Sequence, residues 1–466
     1  MTVPWIAVSG LLYAVFCVQI CHANTVPSQI SRMVDDIPYA KVFTNHDKTF
    51  EVSSGISMTS TQYYKNYSLS EIVESFNSSM ISRSFLERGT FNRLLYKLSH
   101  KLHLVTKEFK PSTRQDKSKR RITLPLHLLF VGGSVCYGHH TFYNESVDTP
   151  AVTANITAVM RASAHLSWPR RLVALLNYTV TEYIELLSPL QGLTVQLQIS
   201  PRYCCRQATS TTHAVDIFKS LQYRFGRCSH DLLDLTPPLP SPPPWEPDLV
   251  LWDYAVNDLN SKWFLSRPRE YVYENMVKMA FKSHAAQIID FEFINHFTPP
   301  LQMKTAVSQR QKVNRHYDIP MVDYMTSLSS NDMLRDWTPL YAERLTNKHP
   351  AWPTHVVWAQ LALGVILTGL MQWKDFLAAG AGAGAVTRQG RGSNLLFPQL
   401  TPFAKYNDSH PLTLHNSPPN HKEYLGICNN HGYSSFYDFS DIKDNVDMTL
   451  YRAFPGIAPV KVNIML

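Results

Sequence analysis

The sequence predicts an α/β fold: a doubly wound parallel sheet with helices on both faces. Three observations predict it. Between residues 122 and 372, apolar strand-like runs alternate with segments of helical period. The runs are apolar on consecutive positions, as strands buried on both faces are. The polar motifs fall just beyond the runs, where open α/β sheets place their sites.

The elements follow in order. Residues 91–104 (FNRLLYKLSHKLHL) have apolar residues at helical spacing. LPLHLLFVGG (124–133) reads as a buried strand ended by glycines, and WPRRLVALLN (168–177) as a helix with Pro in its first turn. TVQLQIS (194–200) reads as a strand and 209–223 as a helix. The Pro-rich stretch 236–247 (TPPLPSPPPWEP) reads as a stiff extended connector. DLVLWDYAV (248–256), IIDFEFI (288–294) and IPMVDYM (319–325) read as strands, with helices at 268–283 and 302–316 between them. HVVWAQLALGVILTGLMQ (355–372) is apolar enough to resemble a membrane span, but Gln360 and the motif-bearing loop before it favour a packed crossover helix.

Outside this region the pattern is weaker. Residues 1–23 read as a signal peptide or an uncleaved anchor: 6–21 are apolar but short for a span, and no Lys or Arg precedes them. Residues 24–90 read as a loosely structured N-terminal extension, 91–373 as the catalytic-type domain, and 374–393 as a flexible link around AAGAGAGA (378–385). Residues 394–466 read as a small β-rich appendage.

Composition narrows the class. Of 466 residues, 44 % are hydrophobic, which excludes wholesale disorder, and 17 % are charged, which speaks against a coiled coil. The net charge of +8 raises the question of a nucleic acid, but seven Lys/Arg against two Asp/Glu in 105–121 supply most of it, and no nucleic-acid signature accompanies them. That loop is a solvated basic segment, a contact for an acidic polysaccharide, or a processing site. Six Asn-x-Ser/Thr sequons, at Asn66, Asn77, Asn144, Asn155, Asn177 and Asn407, behind the leader favour a secretory glycoprotein, extracellular or luminal. Beyond the leader lie Cys136, Cys204, Cys205, Cys228 and Cys428, and the short loop favours Cys204 or Cys205 bridging to Cys228.

Three segments carry candidate chemistry. Gly132-Gly133-Ser134 places a hydroxyl on a strand-to-helix turn, with its own N–H available to an oxyanion. Asn257-Asp258 follows the strand DLVLWDY, where a carboxamide can donate to the same oxyanion. His349-Pro350 precedes the last helix, with His355 six residues on. Each has an ordinary reading too: a Gly-rich turn, a helix cap and a solvated histidine. No His/Cys cluster has zinc spacing, and no cofactor or metal is implied.

Taken together and in this order, the segments resemble the SGNH hydrolase superfamily, GDSL-like esterases and lipases, in the variants with GGS in place of GDS. Trp168-Pro169, the approach Tyr317-Asp318-Ile319-Pro320 and the lead-in KLSHKLHL extend the likeness over roughly 91–372. The resemblance implies a flavodoxin-like sheet and a serine esterase. Ser134 is then the nucleophile and an oxyanion donor, Asn257 a second donor through its amide, and the backbone N–H of Ala208 a third, at a position the family usually fills with Gly. His349 is the general base, and His355 is structural. Two departures stand out. Thr346 occupies the position of the usual acid three residues before the His, which leaves Glu343 or a main-chain carbonyl to orient His349. Tyr203-Cys204-Cys205 stands where the family has an Asn-rich turn. The expected function is hydrolysis of O-acyl esters on glycans, so the expected partner is an acylated carbohydrate or another ester, with no nucleic acid, and a membrane only if the leader is an anchor. The competing readings are an inactive member that binds carbohydrate or protein, and a glycan O-acetyltransferase.

Overall fold

The protein is described from a computed structural model, which covers residues 29–56, 58, 63–64, 67–108, 120–138, 141, 156–183, 193–205, 210–211, 214, 245–258, 269–284, 286–292, 300–324, 350 and 352–386. A six-stranded sheet organises it. Its strands are β1 (Phe85–Glu87), β2 (Arg120–Gly132), β3 (Leu193–Cys205), β4 (Leu249–Asp253), β5 (Gln287–Glu292) and β6 (Met321–Asp323). The order across the sheet is β1-β6-β5-β4-β2-β3, parallel throughout except for β1 on the edge.

Side chains of β2 alternate between two cores. Leu124, Leu126, Leu128 and Phe130 enter one cluster, and Leu129 and Val131 enter the other. The first cluster is shared with α5 (Asn92–Glu108), α8 (Trp168–Glu182) and α12 (Trp352–Val386). The second is shared with α10 (Arg269–His284) and α11 (Pro300–Tyr317). Pro125 is tolerated inside β2 for a local reason. The His127 N–H reaches Asp248 on the β4 side at 2.8 Å. Pro125, two residues earlier, turns its nitrogen the same way, where β4 has not yet begun. Lys101 of α5 closes this corner, 2.6 Å from Asp248 Oδ2 and 3.1 Å from the Pro125 carbonyl.

Several expectations are corrected. Residues 29–87 are not loosely structured. They form α1 (29–35), α2 (Tyr39–Ser54), α3 (Leu69–Glu74), α4 (Ser79–Ser84) and strand β1. Val34, Phe43, Ile72 and Met80 of this stretch are buried in the first core. Its many polar residues mark the outer faces of short helices rather than a tail. The Gly/Ala stretch is not a flexible link as far as residue 386: α12 runs through it, because alanine favours helix enough to carry the interspersed glycines. Strand β3 extends to Cys205, so Tyr203-Cys204-Cys205 is strand and not turn. Cys205 is bonded to Cys136, 69 residues away, and not to Cys228. The two cysteines sit at the ends of adjacent elements, a proximity that sequence distance hides. Cys204 is also disulfide-bonded, and Cys228 lies outside the described residues. So do the connector 236–244, most of the helix expected at 209–223, and the appendage 394–466.

Helix α12 is the apolar segment that resembles a span. Its 352–378 stretch is 94 % buried within the fold over the most apolar window, packed against α8, α5 and α3. Buried Gln360 donates to the Val73 carbonyl at 3.3 Å.

Candidate active site

The nucleophile candidate is built by two glycines. Strand β2 ends at Gly132, and Ser134 begins the short helix α6 (Ser134–Tyr137), buried to 7 % exposure. A Cβ on Gly132 would land on Cys136 Cβ and on the Asp253 carbonyl oxygen, so only glycine lets the strands close here. Gly138 ends α6 at φ +83, the left-handed region that favours glycine. The Cys136–Cys205 disulfide ties α6 to the end of β3.

Strand β4 brings the second segment alongside. Gly132 pairs with Asp253, and the Gly133 N–H donates to the Asp253 carbonyl at 3.1 Å. Helix α9 (Ala255–Asp258) follows at once, so the backbone of Asn257 lies at the strand end next to the Ser134 turn. Its side chain is outside the described residues. Ala208, Glu343, Thr346 and His349 also lie outside them. The chain resumes with buried Pro350, and Trp352 opens α12. His355 is fully buried, and its Nδ1 accepts the Trp168 backbone N–H at 3.0 Å.

Several buried polar residues lie beside these segments, and apart from Asp258 none of them carried a sequence signal. Asp253, 2 % exposed, accepts the Trp168 indole N–H on Oδ2 at 3.0 Å. Among the described residues its Oδ1 has no hydrogen-bond partner. Burial pushes its carboxyl up to about 7, against the pull of the indole N–H and of Arg310. Asp258 is pushed up to about 6 by burial, with Arg310 opposing. It accepts the Thr211 N–H at 2.9 Å and also bonds the Thr211 hydroxyl. Arg310, buried on α11, pairs with Asp290, with Glu292 at 2.9 Å and with Asp258 at 3.9 Å. Burial likewise raises the Glu292 carboxyl. The carboxyl ends of β4, β5 and β6 thus hold Asp253, Asp290, Glu292 and Asp323, with buried Arg310 among them.

One further cluster gathers His46, Asp47 and His165, whose ligand-type atoms all lie within 4.8 Å of one another. Its geometry is that of a pairing network. His165 Nε2 is 3.0 Å from Asp47 Oδ1, and Arg171 reaches Asp47 Oδ2 at 3.4 Å. The His46 and His165 rings are stacked at 4.0 Å and 18°. Stacked rings share no plane, so their in-plane lone pairs do not converge on one ion. Burial holds both imidazoles below their ordinary value, hence neutral. Helix α7 (Ile156–His165) delivers His165, and α2 delivers the other two.

No family model matches the chain, and no curated protein matches it. Among solved structures it is similar to a two-domain esterase (CEX) active on acetylated mannans. That likeness has 14 % identity and a TM-score of 0.32, over 67 % of this chain and 59 % of that one. The same esterase co-crystallised with mannopentaose gives 16 % and 0.31, over 64 % and 57 %. A carbohydrate esterase family 2 enzyme plus carbohydrate-binding domain from Corynascus thermopiles (Myceliophthora fergusii) gives 13 % and 0.28, over 57 % of this chain and 70 % of that one. The chain therefore spans under two thirds of the length of the two mannan-active esterase chains it matches.

Proposed function

We propose that the chain is a serine esterase of the SGNH type, built on a doubly wound, flavodoxin-like sheet, which removes O-acyl groups, chiefly acetyl, from glycans. The observation that carries this reading is the junction of β2 and β4. It sets buried Ser134 on a strand-to-helix turn directly beside the helix that bears Asn257. Ser134 Oγ attacks the ester carbonyl carbon while His349 takes its proton. The backbone N–H of Ser134, the Asn257 amide and the Ala208 N–H hold the oxyanion. The alcohol leaves with the proton from His349, and water then releases the acid. Glu343 or a main-chain carbonyl orients His349 in place of the acid that Thr346 lacks. The glycan assignment comes from the family resemblance together with a secretory route, extracellular or luminal. The leader and the sequons support that route, with Asn77 and Asn177 both exposed.

The test is labelling of the purified glycoprotein with a fluorophosphonate, alongside Ser134→Ala and His349→Ala. Labelling is expected in the wild type, absent in Ser134→Ala and slowed by about 10²-fold or more in His349→Ala. A folded wild type that does not label would sink the esterase reading in favour of a binding module.

A further inference from the structure

The end of β4, which leads into Asn257, and the start of α12 meet at one side chain. Trp168 is the first residue of α8 and is fully buried between Phe130 of β2 and Phe291 of β5, with ring centroids 5.5 and 5.3 Å away. Its two N–H groups point to two different elements. The backbone N–H belongs to the first helical turn, where no intrahelical acceptor exists. Ser167 makes no side-chain cap bond, and its hydroxyl donates to the Ala164 carbonyl. The donor goes instead to His355 Nδ1 on α12, which begins three residues after His349 in the sequence. The indole N–H goes to Asp253 Oδ2 at the end of β4, one turn before Asn257. Asp253 in turn holds the nucleophile turn, because its carbonyl accepts the Gly133 N–H. Serine turn, asparagine segment and the start of the histidine-bearing helix are therefore linked through one rigid aromatic ring.

We propose that Trp168, acting through Asp253 and His355, is a positioning residue that fixes the placement of the Ser134 turn relative to the end of β4, which leads into Asn257, and to the start of α12. The inference rests on the esterase reading above. Trp168 touches no reacting atom in this role. It sets geometry, and a displacement on the order of 1 Å in such a site costs about 10²-fold in rate.

The experiment uses the full chain with 4-nitrophenyl acetate and a fluorophosphonate as probes, well below each variant's melting temperature. Trp168→Phe keeps an aromatic ring, smaller than the indole, and the backbone N–H, and removes the indole donor. It is expected to lower kcat by about 10–100-fold with KM within about twofold, and to slow Ser134 labelling in parallel. Asp253→Leu removes the same contact from the other side and is expected to match it. Asp253→Asn restores an acceptor oxygen and is expected to recover most of what Asp253→Leu loses. If Trp168→Phe does not fold, the Asp253 pair carries the comparison. Wild-type kcat in folded Trp168→Phe would overturn the proposal, and so would equal activity of Asp253→Leu and Asp253→Asn. An inactive, unlabelled wild type would instead strike the esterase reading itself.

Discussion

At neutral pH the Asp253 carboxyl is divided between its two protonation states, because burial lifts it from 3.8 to about 7. The folded chain therefore holds a proton that the unfolded chain has released between about pH 4 and pH 7. Over that window stability falls as pH rises, by an amount on the order of 4 kcal/mol for this group. Asp253→Asn removes the titration. Its melting temperature is expected to exceed that of the wild type at pH 8, and the gap to close toward pH 4, as read by thermal denaturation across pH. A gap that stays constant with pH would rule out ionisation of Asp253 as its cause. Gly132 offers a second test. Its missing Cβ leaves room for Cys136 and the Asp253 carbonyl, so Gly132→Ala is expected to destabilise by about 1–3 kcal/mol in denaturant unfolding.

Among the elements, α12 shows what sequence could and could not convey. Its apolarity and Gln360 indicated a buried helix, and α12 is one. Its length was hidden by glycine, since AAGAGAGA reads as a linker and is helical through residue 386. The glycines further up are contact points. A Cβ on Gly364 would meet the end of the Ile81 side chain on α4. Gly364→Ala is expected to cost about 1–3 kcal/mol, and Ile81→Val in the same chain to return part of it. Strands β2, β4 and β5 were legible because continuous apolar runs have few other uses. Strand β1 was not, because its three residues owe their conformation to pairing with β6, more than 230 residues away. The same limit hid Asp253 and the role of Trp168, which the sequence marked only as part of a motif and not as a link between two distant elements. The Cys136–Cys205 bond escaped for that reason too: loop length favoured a neighbour, and the sheet brought the more distant cysteine closer.

For the whole molecule, a mostly parallel sheet was implicit in the alternation of runs, though its strand order was not. The division into an extension and a domain did not capture how much of the first core residues 29–87 supply, because short amphipathic helices leave a weak periodic signal. That core has a consequence for biosynthesis. Helix α12 is the last described element of the chain, yet it forms the inner wall on which α3, α4, α5 and α8 rest. Part of the apolar face of each of those earlier helices stays uncovered until α12 has been made, although α8 already rests on β3 and α5 on β2. A ribosome-bound chain therefore carries exposed apolar surface on the earlier elements until α12 has been made, and its first core closes only then.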